Sequence, residues 1–227
     1  MVSLVQAPKS VKDHSRVFDH QGDAMTAAGT QPDWRDFSMP ALAPLLRSAM
    51  DCFVEHGYHG TTIRTVATRA GLSVPGLYHH YPSKQALLVG IAESAMADLY
   101  ARSTAALAEA GGDVEERFAL LIECLVLVHA YRWEHAFIAA SEIRSLEGAA
   151  RAGHIAARDR QQKLLDDVVS AGVRGGRFAT GYPKDASRAV TTMCTGVAQW
   201  YRAGGPLSPE ELAVRYVQIC RGAVGAP

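Results

Sequence analysis

From residue 42 onward, apolar side chains recur at three- and four-residue steps, and the period-two alternation of a half-buried strand is almost absent. A chain patterned this way can bury its apolar stripes only as helices packed on helices. Gly111-Gly112, Gly175-Gly176 and Gly204-Gly205-Pro206 cut the pattern into segments. The expected fold is all-α with about nine helices: a three-helix N-terminal unit, then a larger helical portion. Residues 1–38 lack large aliphatic side chains in any helical period and read as a flexible arm, with local order near Trp34 and Phe37. The expected organisation is therefore an arm over 1–38, a small domain over 39–86 and a larger one over 87–227.

Lys plus Arg and Asp plus Glu each total 23, so any basic surface has to be local. No apolar run approaches eighteen residues, which argues against a membrane span. Lys9, Lys12 and Arg16 are followed by no apolar stretch of the secretory kind. Cys52, Cys124, Cys194 and Cys220 are scattered in apolar surroundings, the pattern of reduced, buried thiols in a cytoplasmic protein.

Leu42, Leu45, Leu46, Ala49, Met50 and Phe53 form one stripe of a first helix, with Pro44 near its start and Gly57 at its end. Thr61 or Thr62 caps a short second helix whose inner face is Ile63, Val66 and Ala70. Gly71 ends it, Ser73 caps a third, and Leu72 and Leu77 are expected to fill the wedge between them. Two short helices joined by so tight a turn are a helix-turn-helix, whose second helix enters a DNA major groove. Here that helix is Val74 to Tyr81, with Leu77 and His80 expected inward and Tyr78 and His79 outward. Gly76 costs about 1 kcal/mol relative to alanine in a helix, a cost that makes sense where something approaches the backbone. The next helix starts at Ser83 with Lys84 and no acid in its first turn, leaving an electropositive end suited to a phosphate. From Met39 to Lys84, four cations (Arg47, Arg64, Arg69, Lys84) face two anions (Asp51, Glu55).

The run "LLRSAMDCFVEHGYHGTTIRTVATRAGLSVPGLYHHYPSKQALL", residues 45–88, closely resembles the DNA-binding domain of the TetR family of bacterial transcriptional regulators. Gly57-Tyr58, Thr61-Thr62-Ile63, Ala70-Gly71, Ser73, Gly76-Leu77-Tyr78 and Tyr81-Pro82-Ser83-Lys84 carry the resemblance. It implies phosphate contacts from Thr62, Tyr78 and Lys84, and a groove-facing surface of Val74, Pro75, Gly76 and His79. Ser73 and Tyr81 belong to the same motif, and Arg64 would meet backbone or base. Val74-Pro75 stand where many members carry a polar base-reading residue, which favours thymine-methyl and shape readout.

Past residue 87 about six helices are expected, near 83–110, 113–131, 133–146, 149–174, 184–203 and 209–223. They match the family's ligand-binding and dimerisation domain. Glu142 to Leu146, Arg158 to Arg160 and "QWYRAGGPLSPEELAVRY" (199–216) are similar to the subgroup controlling lipid and steroid breakdown, whose effectors are acyl-CoA thioesters. Phe137, Met193, Val197 and Trp200 are expected to face inward with Trp133 around an apolar effector. His129 and Glu142 would orient it, and Arg144, Arg158 and Arg160 would supply cations for a nucleotide. The helices near 184–203 and 209–223 are expected to form a homodimer, through small Thr191, Thr195, Gly196 and Ala198 and apolar Val214, Val217 and Ile219.

His79-His80 do not make a metal site, since adjacent helical residues point about 100° apart. No nucleophile elbow, zinc-protease signature or phosphate loop is present, so neither enzyme nor cofactor is expected. The reading is a cytoplasmic, ligand-responsive repressor binding double-stranded operator DNA. The alternative is a helical small-molecule-binding module with no DNA role.

Overall fold

The computed structural model describes residues 33–39 and 41–226. Most of the arm expected over 1–38 lies outside them. Nine α-helices and a 3-10 turn are found among the described residues. They are α1 Pro44–Gly60, α2 Ile63–Arg69, α3 Val74–His80, α4 Lys84–Glu109, α5 Val114–Tyr131, α6 Trp133–Ser141, α7 Gly148–Arg174, α8 Pro183–Trp200 and α9 Pro209–Val224; the 3-10 turn is Ile143–Ser145.

Local chemistry sets the ends. Pro44 occupies the first turn of α1, and Gly57, at φ +71°, kinks the helix before its last residues. Asp113 caps α5 through the amides of Glu115 and Glu116. Ser208 and Glu211 form a reciprocal capping box on α9. The single helix expected over 133–146 is instead α6 followed by the 3-10 turn. The helix expected to reach 203 ends at Trp200.

The apolar interior divides into two clusters. One is built on Leu46, Met50, Phe53, Val66 and Leu77 of the first three helices, with Leu87, Leu88 and Ile91 of α4. It takes Ile138 and Leu146 from the larger portion, so the core of the small head runs across the expected boundary after residue 86. The other cluster surrounds α5, whose Phe118, Leu121, Ile122, Cys124 and Val126 are fully buried against α4, α7, α8 and α9. At one place α7 and the following loop touch so closely that only glycine fits. A Cβ on Gly172 would lie 2.1 Å from the Phe178 ring. All four cysteines are free and buried.

The segment before α1 is anchored, and Trp34 is 4% exposed in the α5-centred core. Phe37 stacks on Tyr131 at 4.6 Å between centroids. The local order expected near Trp34 and Phe37 extends over 33–39, because an aromatic pair and two arginines hold this stretch on the helices behind it.

Candidate DNA interface and effector cleft

The short helices of the head are fixed by their caps. The Thr62 hydroxyl accepts from the Thr65 amide at 3.1 Å, and the Ser73 hydroxyl from the Gly76 amide at 3.1 Å. Thr61 is buried, and its hydroxyl donates to the Cys52 and Gly57 carbonyls. Gly71, at φ +68°, makes the turn and lets the Leu72 amide reach back to the Ala67 carbonyl. Leu77 is fully buried and is the pin that holds α3 on the head.

Around that pin the rest of α3 is open. Thr62, Arg64, Ser73, Pro75, Tyr78 and His79 are exposed, while Val74, Gly76 and Tyr81 are half-buried. The sequence-derived contact residues thus lie at the start of α2, along α3 and at its end. Two expectations fail here. His80 is exposed rather than packed, because Leu77 alone fills the space beneath a seven-residue helix. Leu72 is 37% exposed, since the turn geometry at Gly71 carries its side chain outward instead of into the wedge. Gly76 also has a local reason: a Cβ there would sit 3.1 Å from the Ser73 hydroxyl that caps the helix.

Lys84 has a structural task. Its ammonium donates to the Tyr58 carbonyl at 2.6 Å and the Thr61 carbonyl at 2.9 Å, and lies 4.4 Å from the Tyr58 ring centroid. A cation at the first turn of α4 looked unfavourable from sequence. In space it sits at the C-terminal end of α1, where carbonyls lack helical partners. The other cations of the head are unequally committed. Arg47 pairs with Asp51 and Glu134, and Arg69 pairs with Glu55 at 2.6 Å. Arg64 is exposed and outside every ion pair among the described residues.

The residues expected to line an effector pocket do not converge. Trp133, Phe137 and Trp200 are 37%, 41% and 53% exposed. Their helices turn these rings outward, because the inner faces are filled by Ile138, Val190, Cys194 and Val197. Val197 is fully buried in core, and Met193 packs against that core. His129 is buried too, and its Nδ1–H donates to the Leu125 carbonyl at 2.7 Å within its own helix. Burial holds its imidazole below the usual pKa. Of the set, Glu142 borders a crevice beside α4 and α7.

A cavity lies between α4 and α7. It is a cleft of about 230 Å³ lined by Val89, Ala92, Met96 and Ala97 on one side and Ala150, His154 and Ala157 on the other. Leu146 also lines it, and Glu93 and Arg160 supply charge. A tighter crevice bounded by Leu88, Ile138, Glu142, Leu146 and His154 shares its wall. His154 is 6% exposed, and its Nε2 is buried with no hydrogen-bond partner. Burial, then the nearby Arg158, lowers its pKa. An unmet imidazole nitrogen beside a cleft is a place for a ligand's polar group. Sequence reading passed over this cleft. The available signal was the run of small residues Ala150, Gly153 and Ala157 on one face of α7, opposite Ala92 and Met96 at helical spacing on α4.

Comparison with known proteins agrees with this division. Residues 45–91 match the model for bacterial regulatory proteins of the tetR family, and residues 111–224 match the tetracyclin repressor-like C-terminal domain. Residues 33–39 lie upstream of both matches. The transcriptional repressor KstR2 of Mycolicibacterium smegmatis is 27% identical over 182 residues, 79% of this chain and 88% of that protein. The regulator PfmR from Thermus thermophilus is 31% identical in the superposition, with a TM-score of 0.72 over 78% of this chain and 96% of that one. AibR, solved in complex with isovaleryl coenzyme A and operator DNA, superposes with a TM-score of 0.68 at 24% identity, over 77% of this chain and 95% of that one. The capped helix-turn-helix, the long α4 behind it and the larger helical body are therefore those of a known lineage, and the chain belongs to the TetR family of bacterial regulatory proteins.

Proposed function

We propose that the protein is a cytoplasmic, homodimeric repressor released from operator DNA when an acyl-CoA or similar amphipathic effector enters the cleft between α4 and α7. The observation that carries this reading is the role of α4. Its first turns, through Leu87, Leu88 and Ile91, belong to the core of the head, and its next residues, Val89 to Ala97, wall the cleft. One rigid helix thus touches both the reading head and the ligand space.

On the DNA side, Tyr78 and Thr62 meet phosphates, and Arg64 adds a cation to the same face. Val74, Pro75, Gly76 and His79 approach base edges. Ser73 and Tyr81 fix the two ends of α3, and Lys84 supports the surface from behind. Pairing two heads requires a second copy, since paired modules read a pseudo-palindrome. The exposed Trp200, Val214 and Ile219 on α8 and α9 give the apolar area for that dimer.

On the ligand side, the cleft exceeds by about half the ~150 Å³ engineered cavity that accepts benzene, so it suits a short acyl chain or a fused pair of rings. His154 meets a carbonyl or hydroxyl, and Arg160 at the cleft meets an anion. The bound isovaleryl coenzyme A in AibR supports the acyl-CoA class. Helices among the described residues are all too short or too polar to cross a membrane.

The test is fluorescence anisotropy with DNA from upstream of the protein's own gene, followed by a panel of acyl-CoAs in the same cuvette and by calorimetry. Expected is nanomolar binding reversed by at least one acyl-CoA that also binds the free protein. Absence of DNA binding refutes the repressor reading. Release by a cationic drug-like compound, with no response to any thioester, refutes the effector class.

A further inference from the structure

We infer that residues 33–39 form a second tether between the head and the larger body, and that Arg102 and Arg132 are the positioning residues that hold it. The inference rests on the regulator reading for its biological meaning, but its geometry is independent of any effector.

The segment is shaped locally by aspartates. The Asp33 carboxylate accepts from the Arg35 amide at 2.9 Å, and the Asp36 carboxylate accepts from the Ser38 amide at 2.8 Å. It is then fastened at both ends. At the first end, the Trp34 indole donates to Glu109 at 2.6 Å. Arg35 stacks on that indole at 3.8 Å and forks between Glu109 at 2.9 Å and Glu123 at 2.7 Å. In the middle, the Arg102 guanidinium donates to the carbonyls of Trp34 at 2.6 Å and Asp36 at 2.9 Å and lies over the Phe37 ring. At the far end, Arg132 donates to the carbonyls of Phe37 and Met39.

An unpaired backbone carbonyl on a surface segment ordinarily goes to water. Here four successive or near-successive carbonyls are collected by two arginines from different helices, α4 and the α5–α6 junction. That arrangement fixes the direction of the chain as it leaves the body. Only five residue steps separate Met39 from Pro44, so the start of α1 stays within about 18 Å of Met39 at full extension. The polypeptide therefore links the head to the body at two places, through α4 and through this segment, beside the α1–α6 contact in which Arg47 pairs with Glu134 and Ile138 and Leu146 enter the head's core. A second chain link at the start of α1 narrows the directions in which the head can turn against that contact.

The tether also meets the ligand space. Met96 and Ala97 line the cleft, and the next residue, Asp98, accepts from Arg102 Nε at 2.9 Å. A ligand that shifts α4 at the cleft shifts Asp98 and Arg102 with it, and with them the carbonyls that lead to α1. Both links to the head thus respond to one helix.

The experiment measures head position directly. Spin labels go on Thr68→Cys in the head and Lys184→Cys in the body, both outside the buried core, while the four native thiols are fully buried and stay unlabelled. Labelled chain is diluted into unlabelled protein, and the distance distribution is read by electron–electron resonance without ligand or DNA. Arg102→Ala is expected to broaden the distribution at least twofold, and Arg102→Lys to recover part of the width. Anisotropy with the upstream DNA should show operator affinity reduced about three- to tenfold in Arg102→Ala, as the fraction of binding-competent heads falls. Should Arg102→Ala fail to fold, Arg35→Ala decides, since its partly exposed guanidinium leaves no buried cavity. Distributions in Arg102→Ala, or in Arg35→Ala where that decides, that superimpose on wild type overturn the tether. A wild-type chain that binds no DNA yet broadens on substitution sinks the regulator reading and leaves the tether standing.

Discussion

Replacing Lys84 separates two roles that sequence alone merges. A phosphate contact at this residue would make Lys84→Ala weaken operator binding and lower the slope of log K against log salt by about 0.9. The structure places its ammonium on the Tyr58 and Thr61 carbonyls at 2.6 and 2.9 Å. Hydrogen bonds to a charged group contribute about 1.5–3 kcal/mol each, but both bonds are only part-buried and water replaces them in part on truncation, so the two together are worth about 2–3 kcal/mol. The contact with the Tyr58 ring, 4.4 Å from the nitrogen, adds about 0.5 kcal/mol. At about 2–4 °C per kcal/mol for a chain of this size, Lys84→Ala should lower Tm by roughly 5–14 °C. Lys84→Met, which keeps the stem and drops the charge, should fall nearly as far. The assay is thermal unfolding of both variants beside salt titrations of DNA binding at a temperature where each is folded. Loss of a full unit of salt slope with an unchanged Tm would refute the structural role and restore the phosphate contact.

Gly172→Ala places a methyl group 2.1 Å from the Phe178 ring and should cost at least about 1–3 kcal/mol; a urea midpoint equal to wild type would contradict the packing. His135 is 5% exposed with both ring nitrogens unpartnered, and burial, reinforced by Arg132 and Arg47, pushes its pKa down to about 4. Because the unfolded state takes up the proton first, stability should fall as pH drops from about 6.5 to 4, by up to about 3 kcal/mol, and His135→Leu should flatten that slope in urea titrations. Val214→Glu with Ile219→Glu, at positions 61% and 56% exposed, should give a monomer by sedimentation at micromolar protein; a persistent dimer places the interface elsewhere.

The head was the most legible part of the sequence because its signals are local. Capping residues, a turn glycine and one apolar pin each act within a few positions, so Thr62, Gly71, Ser73 and Leu77 could be read one after another. Helix existence in the larger portion was equally readable from spacing. The cleft was not, because a cavity is what several distant helices leave unfilled. Trp133, Phe137 and Trp200 were read as inward by size alone, yet the space they would need is taken by Ile138, Val190 and Val197. The structural task of Lys84 was invisible for a related reason. Its partners are carbonyls 23 and 26 residues away, and backbone acceptors leave no mark in the sequence. The tether over 33–39 was only partly visible: Trp34 and Phe37 hinted at order, but the arginines that collect its carbonyls come from α4 and from the junction of α5 and α6.

The head cannot be an independent unit that the body merely carries. A segment of some fifty residues has a stability of about 2.5–7.5 kcal/mol at ordinary values per residue. Its core includes Ile138 and Leu146, only 1% and 3% exposed, and full burial of such side chains contributes about 1.5–3 kcal/mol each. Two residues from the body thus supply roughly as much as the head's whole margin. Leu146 at the same time lines the cleft, and Ile138 borders the crevice beside it. A ligand that displaces Leu146 by even part of its contact area therefore acts on the packing of the DNA-reading head without a relay. For such a ligand to release DNA, it need only bind more tightly to the arrangement in which Leu146 has moved than to the one in which α3 is held for the groove.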